Sequence, residues 1–254
     1  AFGLVALPGL IIAILFLFVK DYKTVDLSYI DKANNKIKME RKDMFREFLS
    51  RPSVLFTYFG MAAIVFVTTA LIVWLPTYFA SELSMEPKLA GTLAGAVMLL
   101  ALIGAPLGGH ITDKWREKQT NARLLFPTIS TIISALLLFV ALFLMKGTGQ
   151  VIVLFIFGAW VMTFLAGAAA VTQDVIHPGM RATSYAIAVA VQNLLGSFTA
   201  PIVLGKISDL SNIRTAISIL PFVLLIGTIL FFLGSKYYVS DMGKVAKIKL
   251  EAEE

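Results

Sequence analysis

The chain has 254 residues, of which 58% are hydrophobic and only 15% charged. A soluble domain of that length needs a far more charged surface, so the composition excludes one and points to an α-helical protein of the bilayer. The absence of cysteine excludes disulfides and thiolate metal sites. The net charge of +6 is better explained by basic loops on one side of a membrane than by nucleic acid.

Seven apolar runs follow one another, at 1–19, 54–80, 88–111, 122–146, 150–173, 183–208 and 214–238. A helix needs about twenty apolar residues to cross roughly 30 Å of hydrocarbon, and each of the last six runs meets that length. Run 1–19 starts without methionine or a basic stretch, and Val19-Lys20-Asp21 is no signal cleavage site, so it is expected to be the end of an earlier span. Segment 20–53 is too long and polar for a tight turn. Within it, Met44, Phe45, Phe48 and Leu49 share one helical face, which predicts a short amphipathic helix lying on the membrane surface. The alternative is a linker with a few apolar residues. Six spans then occupy 54–238, and 239–254 is a polar tail.

Lysine and arginine fix the expected orientation. Nine lie in segment 20–53, and Lys114, Arg116, Lys118, Arg123, Arg181, Lys236, Lys244, Lys247 and Lys249 fall in the loops on the same side. The alternate loops hold only Lys88, Lys146, Lys206 and Arg214. By the positive-inside rule the long segment, the 112–123 loop and the C-terminus are cytoplasmic, in a multi-pass protein of the cell membrane.

Span 88–111 carries Gly91-x-x-x-Gly95 and Gly104-x-x-x-Gly108, a spacing that lets helix backbones approach closely. At its end, Gly109, Asp113, Lys114 and Lys118 match the pattern Gly-x-x-x-Asp-Arg/Lys-x-Gly-x-Arg/Lys-Arg/Lys, with Arg116 where the second glycine belongs. An acid there can latch onto a neighbouring helix N-terminus. The other reading is a solvated loop of mixed charge. Trp74-Leu75-Pro76-Thr77-Tyr78-Phe79, at the other face, either anchors the interface or closes over substrate. In the turn 173–183, Pro178-Gly179 breaks the helix, and Thr183 or Ser184 is expected to cap the next one. His177 reads as an exposed loop histidine, with a pH sensor as the sharper alternative.

Gln192 and Asn193 sit near the middle of span 183–208, either bonded to another helix or touching substrate. Thr68, Thr69, Trp160 and Thr163 are weaker cavity candidates. Gly196, Pro201 and Gly205 are expected to set a bend and close packing. No Asp, Glu, Lys or Arg falls at mid-span depth. HExxH, GxSxG and the GxxxxGK[ST] phosphate loop are absent, which disfavours an intramembrane enzyme or an ATP-driven pump. No metal or cofactor is expected.

The Gly109–Asp113–Lys114 loop resembles the signature of the major facilitator superfamily, and the order of spans extends that resemblance over the whole chain. It implies an all-α fold in which the end of span six precedes the central cytoplasmic loop and a six-helix C-terminal bundle, with an N-terminal six-span half as partner. Arg181-Ala182-Thr183, Leu195-Gly196, Pro201, Gly205 and Ile207-Ser208-Asp209 resemble spinster-like transporters, and Trp74–Phe79 resembles both those and anion:cation symporters. The first likeness implies lysolipid-type amphiphiles, the second sugar acids or other organic anions. It also implies alternating access coupled to an ion such as the proton. Spans 54–80 and 150–173 would line the cavity and 88–111 and 183–208 would rock as gates. By the family's pseudo-symmetry, Arg181 is the expected partner of Asp113. A receptor or sensor on the same scaffold is the alternative function.

Overall fold

The computed structural model describes residues 41–245, the strand residues 28–30 and 36–38, and residues 12, 14, 15 and 18. Of the side chains in 41–49, those of Arg41, Asp43 and Phe45 lie outside this set, as do nearly all of the expected earlier span 1–19 and most of the tail. Strands β1 (Ser28–Ile30) and β2 (Lys36–Lys38) pair antiparallel with Tyr29 opposite Ile37. The sequence holds Asn34-Asn35 between them, residue types common in turns, a local signal that the reading of a polar loop missed.

Helix α1 (Arg41–Leu49) is followed by six long helices: α2 (Pro52–Glu82), α3 (Pro87–Arg116), α4 (Ala122–Leu144), α5 (Gly147–Asp174), α6 (Pro178–Leu210) and α7 (Ile213–Gly243). Each is long and apolar enough to cross a bilayer. Within hydrocarbon a helix is the form that satisfies every backbone group inside its own segment, which is why continuous apolar runs of this length are helical. Prolines open α2, α3 and α6, where a missing N–H costs nothing. Ser84 (φ 50°) and Gly147 (φ 56°) turn the chain in two of the tight connections. Short connections make neighbours antiparallel, so residues 52, 116, 122, 174, 178 and 243 gather at one end, here the basic end.

The apolar runs locate the helices, but two boundaries move. Helix α7 continues past 238 to Gly243, because Asp241 finds buried partners there. Helix α6 starts with a short 3₁₀ turn at Pro178–Met180, capped by the His177 ring, which accepts from the Gly179 N–H at 3.1 Å. Neither Thr183 nor Ser184 caps it: Ser184 donates to the Thr172 carbonyl of α5 instead.

Glycine decides the close approaches. A Cβ on Gly108 would stand 1.8 Å from the Thr163 carbonyl, and one on Gly158 would stand 2.1 Å from that of Val97. Helices α3 and α5 therefore cross nearly backbone to backbone. Gly104 belongs to the same crossing, 2.9 Å from the Ala159 carbonyl. Gly91 and Gly95 do not: open space surrounds both, so only the second glycine pair is a packing motif within this bundle. Gly196 seats α6 on α2 against the Ala62 carbonyl, and Gly205 faces Trp74.

Burial is uneven among the spans. In the most apolar window, 22% of α3 and 28% of α6 are buried, against 44% to 56% for the other four. Helices α3 and α6 thus leave a broad face that the bundle does not cover.

Candidate functional site

At the basic end, Asp113 lies in the last turn of α3. Its Oδ1 stands 3.9 Å from Arg123 Nη2, in the first turn of α4. The other guanidinium nitrogen of Arg123 donates to Asp174 Oδ2 at the end of α5, and Tyr238 of α7 donates to the same oxygen at 2.6 Å. Arg123 and Asp174 are 15% and 20% exposed, whereas Asp113 is 74% exposed. The interior pair is the strong bond and the Asp113 contact an outer, solvent-weakened one. Arg181 is exposed and has no part in this cluster, so the expected Asp113–Arg181 latch is corrected: the base that meets Asp113 is Arg123. The tight α3–α4 turn brings them together, across ten residues of sequence. Lys114 and Lys118 are exposed, and Gly109 leaves room for Ala166.

A second cluster, which the sequence reading did not find, joins α1 to the bundle. Glu47 accepts the His177 backbone N–H at 2.8 Å and lies 3.8 Å from Arg51. Arg51 donates to the Lys244 carbonyl at 3.0 Å. Asp241, fully buried, accepts from the backbone and hydroxyl of Ser53 at 3.0 and 2.7 Å, and Lys244 Nζ is 2.9 Å from its other oxygen. His177 is buried rather than exposed, since the α1 docking site covers it. Phe48 is buried against the bundle too, while Leu49 stays exposed. The helix expected to lie on the membrane surface is pinned to the end of the bundle.

Deeper in, the residues singled out from sequence separate into two groups. Trp160 donates to the Ser130 carbonyl at 3.2 Å, and Thr163, fully buried, shares a hydrogen bond with the Ser130 hydroxyl. Both point from α5 into α4, so as cavity-lining residues they are corrected to packing ones. Thr68 bonds back to Ile64 of its own helix. Gln192 and Thr69, by contrast, lie along the α2–α6 seam. Gln192 Nε2 stands 3.9 Å from the Met61 sulfur, and Thr69 reaches the Ser197 hydroxyl at 3.5 Å. Asn193 is exposed and bonds to the Val189 carbonyl. Met61 and Thr69 are eight residues apart, so this strip runs about 12 Å along α2.

Residues Gln192–Ser197 form a π-helical turn inside α6. Such turns leave a carbonyl out of the regular ladder and are common at functional sites. Here the wider turn carries both mid-span amides, and no sequence signal beyond Gln192-Asn193 and Gly196 marks it. Pro201, half-buried, lies four residues further on, inside α6. At the opposite end Tyr78 accepts from Gln150 at 2.8 Å and Leu75 and Phe79 are buried, so half of the Trp74–Phe79 stretch packs inward.

Six helices long and apolar enough to cross a membrane, with a charge clasp at one end and a polar strip along the α2–α6 seam, define an integral membrane helical bundle. Residues 1–201 match the model of the Major Facilitator Superfamily, and the chain belongs to that family. Protein spinster homolog 3 of Danio rerio is 28% identical over 229 residues, covering 79% of this chain and 45% of the relative. The sphingosine-1-phosphate transporter SPNS2 of the same organism is 25% identical, covering 77% and 44%. A crystal structure of a bacterial homolog of the human lysosomal transporter Spinster, inward-facing and unoccupied, aligns with a TM-score of 0.69 at 18% identity. It covers 92% of this chain and 58% of that one, and establishes the fold. The spinster-like resemblance read from the sequence is borne out. The chain spans about half the length of the curated relatives it matches.

Proposed function

We propose that the chain is the C-terminal bundle of a secondary transporter, moving a small amphiphile by alternating access against an opposing six-span bundle. The observation that carries this reading is the uncovered face of α3 and α6, which bears Asn193, together with the Met61–Thr69–Gln192 strip beside it. A face that apolar, interrupted by uncharged amides, suits a second bundle enclosing a mildly polar path. The strip holds no charge, so it fits the chain and neutral portion of an amphiphile better than a multiply charged solute. Sphingosine 1-phosphate, named for one relative, is an amphiphile of this single-chain kind.

In this reading the basic end faces the cytoplasm and the C-terminus is cytoplasmic, the orientation that the loop charges favour. The Arg123–Asp174–Tyr238 cluster with Asp113 holds α3, α4, α5 and α7 as one body while α6 bends at its π turn. Ion coupling, by protons in the simplest case, is assigned to the opposing bundle, since among the described residues the carboxylates lie at helix ends or in connecting turns. The test is uptake of a fluorescent single-chain lysophospholipid into proteoliposomes by protein carrying both bundles, with and without a pH gradient. Uptake that Gln192→Leu lowers at least tenfold supports the reading. Binding without flux would make the protein a receptor and overturn it.

A further inference from the structure

Helix α1 roofs an apolar pocket of about 410 Å³ against α2 and α6. Met44, Phe48 and Leu49 form the roof, Phe59 one wall, and Ile187 and Val191 the other. The volume is that of an ordinary ligand pocket. Its surface is nearly all hydrocarbon, because the one tyrosine hydroxyl there, that of Tyr58, is already bonded to Ser184. Whatever enters must present carbon.

The outer face of α1 has a different chemistry. Lys42, Arg46 and Leu49 are spaced i, i+4 and i+7, so they share one stripe of α1, and Leu49 borders the pocket. Lys42 and Arg46 are exposed, and neither has an acidic partner among the described residues. Along α2 the pocket runs from Leu55 to Phe59, four residues or about 6 Å. That is the depth at which interfacial helices meet the boundary of headgroups and acyl chains. Leu49 and Phe59, both in the pocket lining, are 56% and 46% exposed.

We infer that this pocket is a binding site for an anionic membrane phospholipid, with one acyl chain under α1 and the phosphate headgroup between Lys42 and Arg46. The site lies at the α1 end of the same α2–α6 seam as the Met61–Gln192 strip: its charge lies on the helix pinned by Glu47, and its occupant wedges α1 against α2 and α6. A zwitterionic lipid supplies the same chain without the net negative headgroup, so charge sets the preference.

The experiment uses the protein in phosphatidylcholine vesicles containing about one twentieth phosphatidylglycerol with a photoactivatable acyl chain. A parallel sample carries the same chain on phosphatidylcholine. Adducts are mapped by peptide mass spectrometry. Phosphatidylglycerol is expected to label Phe59, Ile187 and Val191 in excess over phosphatidylcholine. Lys42→Gln with Arg46→Gln should cut that excess by about fivefold for each charge removed. Ile187→Trp, which fills the pocket, should remove these adducts for both lipids while labelling elsewhere on the bundle persists. Val191→Phe provides a second filled pocket should the first variant fail to fold. Equal labelling by the two lipids, or a phosphatidylglycerol excess that survives loss of both charges, overturns the inference. So does a pocket that no lipid labels because residues 1–40 or another bundle cover it.

Discussion

Arg123→Met is the perturbation that tests the charge clasp most directly. It removes the guanidinium from Asp174, leaving a carboxylate only 20% exposed with the Tyr238 hydroxyl as its remaining donor. Breaking a buried pair costs about 3–5 kcal/mol, while exposed pairs are worth about 0.2–1 kcal/mol. With most of both side chains buried but the end of the bundle open to water, a loss of about 2–3 kcal/mol follows. The assay is unfolding in mixed micelles by a denaturing detergent, run on Arg123→Met, Asp174→Asn and the double variant. The double variant should recover at least about 1 kcal/mol of the summed single losses, since a neutral amide in place of the Asp174 carboxylate no longer demands a cation. The absence of native cysteine allows a second readout. Thr112 is buried beside the cluster, so a thiol introduced by Thr112→Cys should react slowly with a water-soluble maleimide and several-fold faster when Arg123→Met is added. Strict additivity in the cycle, or a single variant within about 0.5 kcal/mol of the parent with unchanged labelling, would refute the clasp.

The glycine contacts separate two motifs of identical spacing. Gly108→Ala should destabilise by about 3 kcal/mol or more, since Cβ meets a backbone carbonyl that no side-chain rotation can move, whereas Gly91→Ala should be neutral or up to about 1 kcal/mol stabilising. Both are read by the same unfolding titration. Asp241→Ala strands the Ser53 N–H and hydroxyl in a buried site and should cost about 2–3 kcal/mol, while Asp241→Asn, which keeps an acceptor, should cost less than half of that. Thermal unfolding of the two variants checks the difference. On transport, Trp160→Phe should leave flux within about twofold, because its N–H serves only Ser130, while Gln192→Leu lowers it tenfold at unchanged stability. Proteoliposome uptake read beside an unfolding curve distinguishes the two.

How much of this was legible follows from what each solvent punishes. Water rejects apolar runs and the bilayer rejects charge, so the six spans could be placed by eye, and the family loop at Gly109–Asp113 stood out as charge beside glycine. The partner of Asp113 was legible in principle. An acid closing one helix and a base in the first turn of the next are joined by any tight hairpin, and that local rule favours Arg123 over a residue two helices away. Boundaries failed where polar groups were satisfied inside the protein. Asp241 ends a hydropathy run, yet Ser53 keeps the helix going past it.

The facing of side chains within a span was not legible, and the reason is general to this solvent. Lipid tails and helix neighbours are equally apolar, so a residue pointing outward and one pointing inward leave the same mark on the sequence. Helices α2 and α7 accordingly show almost no amphipathic periodicity, though each has a fully packed side. Thr163 and Thr69 are the same residue type, each inside a span, and only geometry assigns one to Ser130 in the core and the other to the α2–α6 seam. The two glycine pairs in α3 make the same point without polarity. Gly104 and Gly108 meet α5 because Gly158 lets α5 come close, whereas Gly91 and Gly95 face open space. A small-residue motif in a membrane span is therefore half a statement, completed only by the helix that presents a matching small residue.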